Sequence, residues 1–280
     1  MLAVNIQQLK KDYGGFVVEV PQLQLPTGYV TGLVGKNGSG KTTLIRMMLG
    51  LIPRTSGRAE LLGGELQEDL QLRAQVGFVS ETPYFLPTLT VGQVHDTLSP
   101  FYENWDEALY RRMVEDFELP DIRIKELSKG QSKIFTFLMA YCCRPRLLIL
   151  DEPTANLDPL ARHKLIGYLR RFMEREENAV LYSTHITGDL EDICDYLVGM
   201  DRGRVVYHGE KDAILDGYCI VQGELRLLTS ETEGVFCGVE RRETGFIGLT
   251  DRPEQARELF GIEAQYRRPT IEELIVYREG

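Results

Sequence analysis

The sequence contains no apolar run that approaches the ~18 residues needed to cross a bilayer. Its five cysteines, at positions 142, 143, 194, 219 and 237, form no Cys-x-x-Cys pair, and their odd number indicates reduced thiols that pack as small core residues. The chain does not open on a signal-peptide pattern, so we expect a cytosolic protein. If such a protein acts at a membrane, a separate partner must supply the membrane part.

Positive charge is also in short supply. The 32 basic side chains are outnumbered by 42 acidic ones, which gives a net charge of −10. This balance disfavours non-specific binding to nucleic acid or to anionic lipid, so no nucleic-acid partner is expected. A length of 280 residues with 43% hydrophobic content is ample for one large globular domain with a small appendage.

A complete GxxxxGK[ST] pattern occupies residues 35–42. A predicted buried strand over 29–34 precedes it and a predicted helix over 43–49 follows it, which is the order that a phosphate-binding loop requires. Glycines at this place let backbone N–H groups turn toward an anion at a helix N-terminus. The sequence therefore predicts a nucleotide site, with Lys41 reaching the β and γ phosphates as a catalytic residue and Thr42 binding Mg²⁺. The predicted nucleotide-binding residues of the loop are Gly35, Lys36, Asn37, Gly38, Ser39, Gly40, Lys41, Thr42 and Thr43.

Short apolar segments alternate with segments of helical periodicity, which predicts an α/β core built on a parallel sheet. Antiparallel strands within residues 1–34 are expected to feed the loop strand, and a helical insert is predicted between 91 and 143. The predicted core strands are 77–80, 147–150, 179–183 and 196–199, and the predicted core helices are 159–175 and 188–193.

The segment after residue 217 has a different texture, with frequent glycine among strand-like runs. It predicts a small C-terminal α+β domain over 218–280. Its predicted strands are 225–228, 235–239 and 246–249, and its predicted helices are 253–260 and 270–277.

Two adjacent carboxylates, Asp151 and Glu152, follow the apolar strand 147–150. The sheet should deliver both to its C-terminal edge, where the phosphate loop also opens. In phosphoryl transfer one group serves the metal and another orients or deprotonates the nucleophile. We assign Asp151 to the metal and Glu152 to the base, because the alternative, a plain helix N-cap, has little weight beside a complete phosphate loop.

The run Leu-Ser-Lys-Gly-Gln at 127–131 resembles the LSGGQ signature of the ATPase subunits of ABC transporters, with Lys129 in place of the first glycine. Other parts of that family follow in order: Tyr13 where an aromatic stacks on adenine, Ala-Asn-Leu-Asp at 155–158 where the D-loop lies, and His185 after a strand. The resemblance spans roughly residues 1 to 210. It implies a P-loop NTPase core of the ABC type over 1–217, with a mixed sheet and a helical subdomain at about 88–143.

The resemblance implies that two such domains, as a homodimer or a heterodimer, close head to tail over two ATP molecules. Ser128, Gly130 and Gln131 would then bind the γ-phosphate of ATP held by the partner, and His185 would bind the γ-phosphate and hold the attacking water as a catalytic residue. Lys129 would either add a phosphate contact or point to solvent. Tyr13 is the predicted adenine stack, and Phe16 is its rival.

Glu81 is the clearest departure from the family, which usually has glutamine there as a Mg²⁺ ligand. Glutamate keeps an oxygen for the metal, loses both amide donors and adds a negative charge. We expect Glu81 to bind Mg²⁺ and the site to hydrolyse ATP, because Glu152 and His185 are both present. The alternative is a surface charge without a role.

The resemblance implies an energy-coupling subunit that binds ATP and Mg²⁺ and works with an integral membrane permease, peripheral on the inner face of the cell membrane. Glu81, the Leu-Ser-Lys-Gly-Gln variant and the ending 268–274 are similar to a bacterial exporter subgroup. The aromatic run 83–87 would line the groove for the permease, or pack in the core. The rival function is a soluble ABC-type ATPase without a transporter. The 218–280 segment would extend the dimer contact, sense a ligand or cap the sheet.

Overall fold

The computed structural model describes residues 1–82 and 84–278. Pro83, the first residue of the predicted permease groove, and the last two residues of the predicted C-terminal domain lie outside the described residues. The larger sheet has the strand order β4-β1-β2-β9-β8-β3-β7-β6-β5. Its strands are β1 (Leu2–Asp12), β2 (Val17–Pro26), β3 (Val30–Val34), β4 (Ser56–Leu61), β5 (Val76–Val79), β6 (Leu147–Asp151), β7 (Ala179–Thr184), β8 (Tyr196–Asp201) and β9 (Arg204–Glu210).

The five strands β5, β6, β7, β3 and β8 pair in parallel, as the alternating pattern predicted. Every residue of β3, β6 and β7 is buried, because helices cover both faces of this part of the sheet. Parallel pairing in register brings Asp151 opposite Ser183. The C-terminal ends of β3, β6 and β7 therefore meet at one edge of the sheet.

The antiparallel part of the sheet consists of β1, β2 and β4, as expected for the first 34 residues but extended by β4. β9 pairs antiparallel with β8 and reaches β2, which joins this part to the parallel strands. The sequence analysis missed β4 and β9. Both strands have a half-exposed face and carry several polar residues, so they lack the apolar run that marks a buried strand.

Helices of the core and insert surround the parallel strands. They are α1 (Lys41–Met48), α2 (Leu70–Ala74), α3 (Val91–Leu98), α4 (Glu107–Asp116), α5 (Lys129–Cys142), α6 (Pro159–Phe172), α7 (Gly188–Ile193) and α8 (Lys211–Asp216). The insert, α3 to α5, buries Met113, Phe135 and Leu138 in the same cluster as Leu148 of β6. No helix in the described part of the chain is both long and apolar enough to span a membrane.

The C-terminal segment forms a four-stranded antiparallel sheet of order β11-β12-β10-β13 with two helices, which confirms the predicted α+β character. Phe246 and Phe260 belong to a small cluster of its own, whereas Ile247 and Leu274 pack into the main core. The segment is therefore fused to the larger sheet and its helices through one face of its own sheet. Its elements are β10 (Cys219–Gly223), β11 (Gly238–Arg242), β12 (Gly245–Thr250), α9 (Pro253–Phe260), β13 (Gln265–Arg267) and α10 (Ile271–Arg278).

One predicted strand of this segment, 225–228, is wrong, and a second is displaced, because the strand predicted over 235–239 runs over Gly238–Arg242. Residues Leu225–Leu227 form a 3₁₀ turn, in which the Leu228 N–H donates to the carbonyl of Leu225. A second 3₁₀ turn, Glu233–Val235, replaces the start of the predicted strand 235–239. Local i to i+3 hydrogen bonds satisfy the backbone there, and a run of leucines alone does not distinguish such a turn from a strand.

All five cysteines are free thiols, and four of them are buried. Burial raises the pKa of Cys143 and of Cys194 to about 12. These thiols stay protonated at neutral pH and act as small packing residues, as the sequence predicted.

Candidate active site

The phosphate loop connects β3 to α1 and takes a left-handed backbone at Gly35, Gly38 and Gly40, with φ of 148°, 81° and 108°. At Gly35 a Cβ atom would lie 2.2 Å from the carbonyl oxygen of Met200 on β8. Only glycine fits there, since an L side chain is strained at this φ and clashes with fixed backbone. The loop can therefore run close to β8 and turn its N–H groups toward the start of α1.

Lys41 is the first residue of α1, and its side chain folds back over the loop. Its Nζ donates to the carbonyls of Gly35 at 2.6 Å and Lys36 at 3.2 Å. The neighbouring Ser39 hydroxyl is buried and has no hydrogen-bond partner among the described residues. An unsatisfied buried polar atom of this kind marks a site that accepts a further ligand.

Glu152 and His185 lie side by side, at the ends of β6 and β7. Nδ1 of His185 is 2.8 Å from Oε1 of Glu152, and the His185 backbone N–H donates to the same oxygen at 3.0 Å. The hydroxyl of Thr184 donates to Oε2 at 3.2 Å. The Glu152 side chain is 9% exposed and that of His185 is 44% exposed. His185 therefore holds the Glu152 carboxylate through both its backbone and its ring. The backbone of Glu152 has a φ of 52°, in the left-handed region that is strained for a residue with a side chain.

Asp151 lies beneath this pair and is 2% exposed. Its Oδ1 has no hydrogen-bond partner in the part of the chain that the structure describes. Burial raises the pKa of Asp151, the Thr42 hydroxyl opposes the rise, and the negative charges of Glu152 and Glu81 add to it. A buried carboxylate with a free oxygen beside a hydroxyl and further carboxylates has the oxygen donors that Mg²⁺ prefers.

One cleft of about 510 Å³ brings most of the predicted site residues together. Phe16 lines it, whereas Tyr13 lies outside on the β1–β2 turn, 53% exposed and with Lys11 Nζ 5.2 Å from its ring centroid. Gly35, Lys36 and Asp151 are not among the residues that line the cleft, and Lys36 is exposed. The predicted residues that line the cleft are Asn37, Gly38, Ser39, Gly40, Lys41, Thr42, Thr43, Glu81, Glu152 and His185.

The signature residues lie at a second cleft, of about 380 Å³, which shares Glu81 and Ala155 with the first. Ser128 and Gln131 form a reciprocal cap at the start of α5: the Gln131 N–H donates to Ser128 Oγ at 3.1 Å and the Ser128 N–H to Gln131 Oε1 at 2.9 Å. At Gly130 a Cβ would lie 3.0 Å from the carbonyl of Asn156. Lys129 is exposed, and the structure does not bring Ser128, Gly130 or Gln131 into the phosphate-loop cleft of their own chain.

The segment 155–158 is held in place by a buried carboxylate. Asp189 of α7 accepts hydrogen bonds from Thr154 Oγ1 at 2.6 Å and Tyr182 OH at 2.8 Å, and it also pairs with Arg162 of α6. Because α7 starts three residues after His185, this network ties the chain after Glu152 to the chain after His185.

Comparison with known proteins places this arrangement in a family. A model of the ABC transporter family matches residues 18–155. The Nod factor export ATP-binding protein I of Rhizobium johnstonii is 32% identical over 223 residues, which cover 77% of this chain and 71% of that protein. The chain belongs to the ABC transporter ATP-binding proteins. It is therefore an ATPase of the class that drives transport, and the family predicted from its motifs is confirmed.

Two further relatives define how much of this ABC ATP-binding protein is shared. The Nod factor export ATP-binding protein I of Rhizobium etli is 29% identical over 299 aligned positions, covering 100% of this chain and 94% of that protein. A solved ATP-binding subunit of an ABC transporter superposes with a TM-score of 0.68 and 29% identity, over 76% of this chain and 92% of that one. The predicted ABC-type ATPase fold is thus confirmed.

Lys133 is a charged residue at the site that the sequence analysis missed. Its Nζ donates to the carbonyls of Ser80 at 3.1 Å and Glu81 at 3.0 Å. Burial lowers the pKa of Lys133, while the negative charges of Glu81, Asp151 and Glu152 oppose this shift. The sequence does contain a signal for this residue. Lys133 lies four positions before the apolar Phe137 in a predicted helix, and this spacing puts a lysine on the buried face of α5.

Proposed function

We propose that this ABC ATP-binding protein powers an exporter by hydrolysing Mg²⁺-bound ATP at sites formed between two ATPase subunits. The observation that carries the proposal is the Glu152–His185 pair, which lines one cleft with Lys41 and the phosphate loop. A carboxylate held by a histidine, opposite a site for the β and γ phosphates, is the arrangement that hydrolysis of a phosphoanhydride requires.

Each residue has a proposed role in that reaction. The loop N–H groups and Lys41 bind the phosphates, and Thr42, Asp151 and Glu81 would supply oxygens for Mg²⁺, which would neutralise charge on the phosphates. Glu152 accepts a proton from the water whose oxygen bonds to the γ-phosphorus, the bond between that phosphorus and the oxygen bridging to the β-phosphate breaks, and ADP and inorganic phosphate leave. His185 fixes Glu152 and orients the γ-phosphate.

Residues 128–131 support the dimeric part of the proposal. None of these residues lines the phosphate-loop cleft of the same chain, and Ser128 and Lys129 line the adjoining cleft, so they are available to another nucleotide. A backbone cap at the start of α5 also presents the positive end of a helix dipole to an anion. The partner is a second copy of this chain or another ABC ATPase, which together enclose two ATP molecules.

The permease contact is proposed for the segment after Glu81. Tyr84 and Leu86 are 67% and 64% exposed, whereas Phe85 stacks against Phe135 with ring centroids 4.9 Å apart. One aromatic thus anchors the segment in the core and its neighbours are available to an integral membrane permease. The two Rhizobium relatives are Nod factor export proteins, which supports export as the direction. The protein would then be cytoplasmic and peripheral on the inner face of the membrane.

The Glu152→Gln variant tests the proposal. We expect turnover to fall by about a hundredfold or more, because a glutamine cannot take the proton from water. ATP should still bind, so the variant is expected to form a stable dimer with ATP and Mg²⁺, measured by size-exclusion chromatography with light scattering. Glu243→Gln, an exposed position in the C-terminal segment, is the matched control and should hydrolyse ATP like the wild type.

The proposal is wrong if Glu152→Gln stays monomeric at saturating ATP, both alone and with its permease. Co-purification of a tagged wild-type chain with an integral membrane protein separates the two candidate functions. Its absence would favour the soluble ABC-type ATPase.

A further inference from the structure

Lys133 lies in the second turn of α5 and is 4% exposed, although it carries a charge. Lys129, one turn earlier on the same helix, is exposed. Placing an ammonium group in a protein interior is costly unless strong hydrogen bonds compensate. Lys133 is buried even though it lies just one helical turn after the signature residues. Its contacts should therefore show what compensates the cost of burying its charge.

These contacts all lie on the segment that ends β5. The Lys133 ammonium has three donors, and two of them are used by the consecutive carbonyls of Ser80 and Glu81. The Ser80 hydroxyl donates to the carbonyl of Thr82 at 2.5 Å, which folds the same segment into a tight turn. In the described ranges 1–82 and 84–278, no carboxylate forms an ion pair with Lys133. Lys133 therefore holds the backbone of Ser80 and Glu81 in place. Its positive charge also interacts with the negative charges of Glu81, Asp151 and Glu152.

We propose that Lys133 is a positioning residue that holds the Ser80–Glu81 backbone so that the Glu81 carboxylate can bind the metal. The inference rests on the proposed function, in which Glu81 is a Mg²⁺ ligand. Replacing a side chain that orients a metal ligand through hydrogen bonds typically lowers metal affinity about 10- to 100-fold. Here the orienting group acts through two carbonyls, and its positive charge also offsets the negative charge of the Glu81 carboxylate.

The position of Lys133 on α5 adds a consequence. Glu81 lines both the phosphate-loop cleft and the signature cleft, and Lys133 lines the second. Since α5 is a continuous helix that begins at the Ser128 cap, a shift of its first turns would move the two carbonyls that Lys133 holds. The metal site of one copy is therefore mechanically joined to the signature residues of that same copy.

The test measures Mg²⁺ and nucleotide affinity separately in the full chain. Lys133→Met removes the donors and the charge at nearly constant volume, and Lys133→Gln keeps an N–H₂ donor. With a fluorescent ATP analogue, we expect Lys133→Met to raise the Mg²⁺ concentration for half-maximal binding about 10- to 100-fold. The affinity measured with EDTA should stay unchanged, because the phosphate loop is untouched. Lys133→Gln should give a smaller shift, and the matched control Lys125→Met, an exposed lysine of the same subdomain, no shift.

Glu81→Ala completes a double-mutant cycle. If Lys133 acts through Glu81, adding Lys133→Met to Glu81→Ala will produce no further change in the Mg²⁺ requirement. Additive effects would overturn the inference. So would an equal loss of affinity with EDTA and with Mg²⁺, or an unchanged Mg²⁺ requirement in folded Lys133→Met. If neither Lys133 variant keeps the thermal stability of the control, the contact is only structural and the inference is wrong. A wild-type protein whose nucleotide binding ignores Mg²⁺ would instead contradict the proposed function.

Discussion

In the nine-stranded sheet the charged residues at the ends of β6 and β7 converge on one partly buried cluster, whereas those of the four-stranded sheet pair with one another in solvent. Glu152 contacts His185 next to the buried Asp151 at the parallel edge. Arg242 of β11 instead pairs with Glu240 of the same strand, and both side chains are about half exposed. The difference lies in topology: parallel strands end together at one edge, and antiparallel strands distribute their ends over two.

The two sheets also differ in how completely their buried polar atoms are satisfied. Ser39 Oγ, Asp151 Oδ1 and Ser183 Oγ have no hydrogen-bond partner among the residues that the structure describes, and all three lie at or near the phosphate-loop edge. Within the described part of the C-terminal segment, residues 218–278, no buried side-chain oxygen or nitrogen is left in this state. Thr250, for example, is fully buried and donates to the carbonyl of Val235 at 2.7 Å. The phosphate-loop edge, where buried polar atoms have free hydrogen-bonding capacity, is therefore the edge suited to bind a ligand.

Gly35→Ala is expected to have the largest effect on this comparison. The new Cβ would lie 2.2 Å from a β8 carbonyl at a φ of 148°, so the loop must move. We expect a loss of unfolding free energy of about 3 kcal/mol and nucleotide binding too weak to measure. Urea unfolding and titration with a fluorescent ATP analogue would check both.

Gly167→Ala is the matched control for that substitution. Gly167 lies inside α6 with no atom within 4 Å of a new Cβ, so alanine should stabilise the protein by about 0.5–1 kcal/mol and leave binding intact. If Gly35→Ala bound ATP like the wild type, the close approach of the loop to β8 would have no role in the site.

An intermediate effect is expected at the rim of the cleft, where Tyr13 and Phe16 compete for the adenine. Tyr13→Ala should weaken ATP binding roughly tenfold, since stacking of a base on an aromatic ring contributes about 1–3 kcal/mol. Phe16→Ala should weaken ATP binding less, because in this assignment Phe16 packs against the core and does not hold the adenine. The opposite order would assign the adenine to Phe16, which already lines the cleft. Competition between ATP and GTP in both variants measures how strongly the stack selects the base.

The sequence predicted local and strand-end features of this molecule well, and features that depend on distant packing poorly. The phosphate loop and the position of Asp151 and Glu152 follow from a strand and the residues after it. The contact of Lys133 with the Ser80 and Glu81 carbonyls requires α5 to pack over the end of β5, about fifty positions away. The Glu152–His185 contact similarly requires β6 and β7 to be neighbours. In the C-terminal segment, short local hydrogen bonds decided between turn and strand at Leu225–Leu227.

The smallest effect is expected for Arg226→Ala in the 3₁₀ turn Leu225–Leu227 of the C-terminal segment. Arg226 donates to Glu224 at 2.9 Å and to Glu263 at 2.6 Å, but all three side chains are exposed to water and salt. Exposed ion pairs contribute little to the free energy of unfolding, because solvent and salt screen the charges and because pairing costs the side chains conformational freedom. The thermal midpoint and ATP turnover should match the wild type at low and high salt alike. A fall in turnover would instead mean that this surface contacts a partner or the second subunit. The charged surface of the C-terminal segment would then have a function, as the phosphate-loop edge of the larger sheet does, and the contrast between the two would no longer hold.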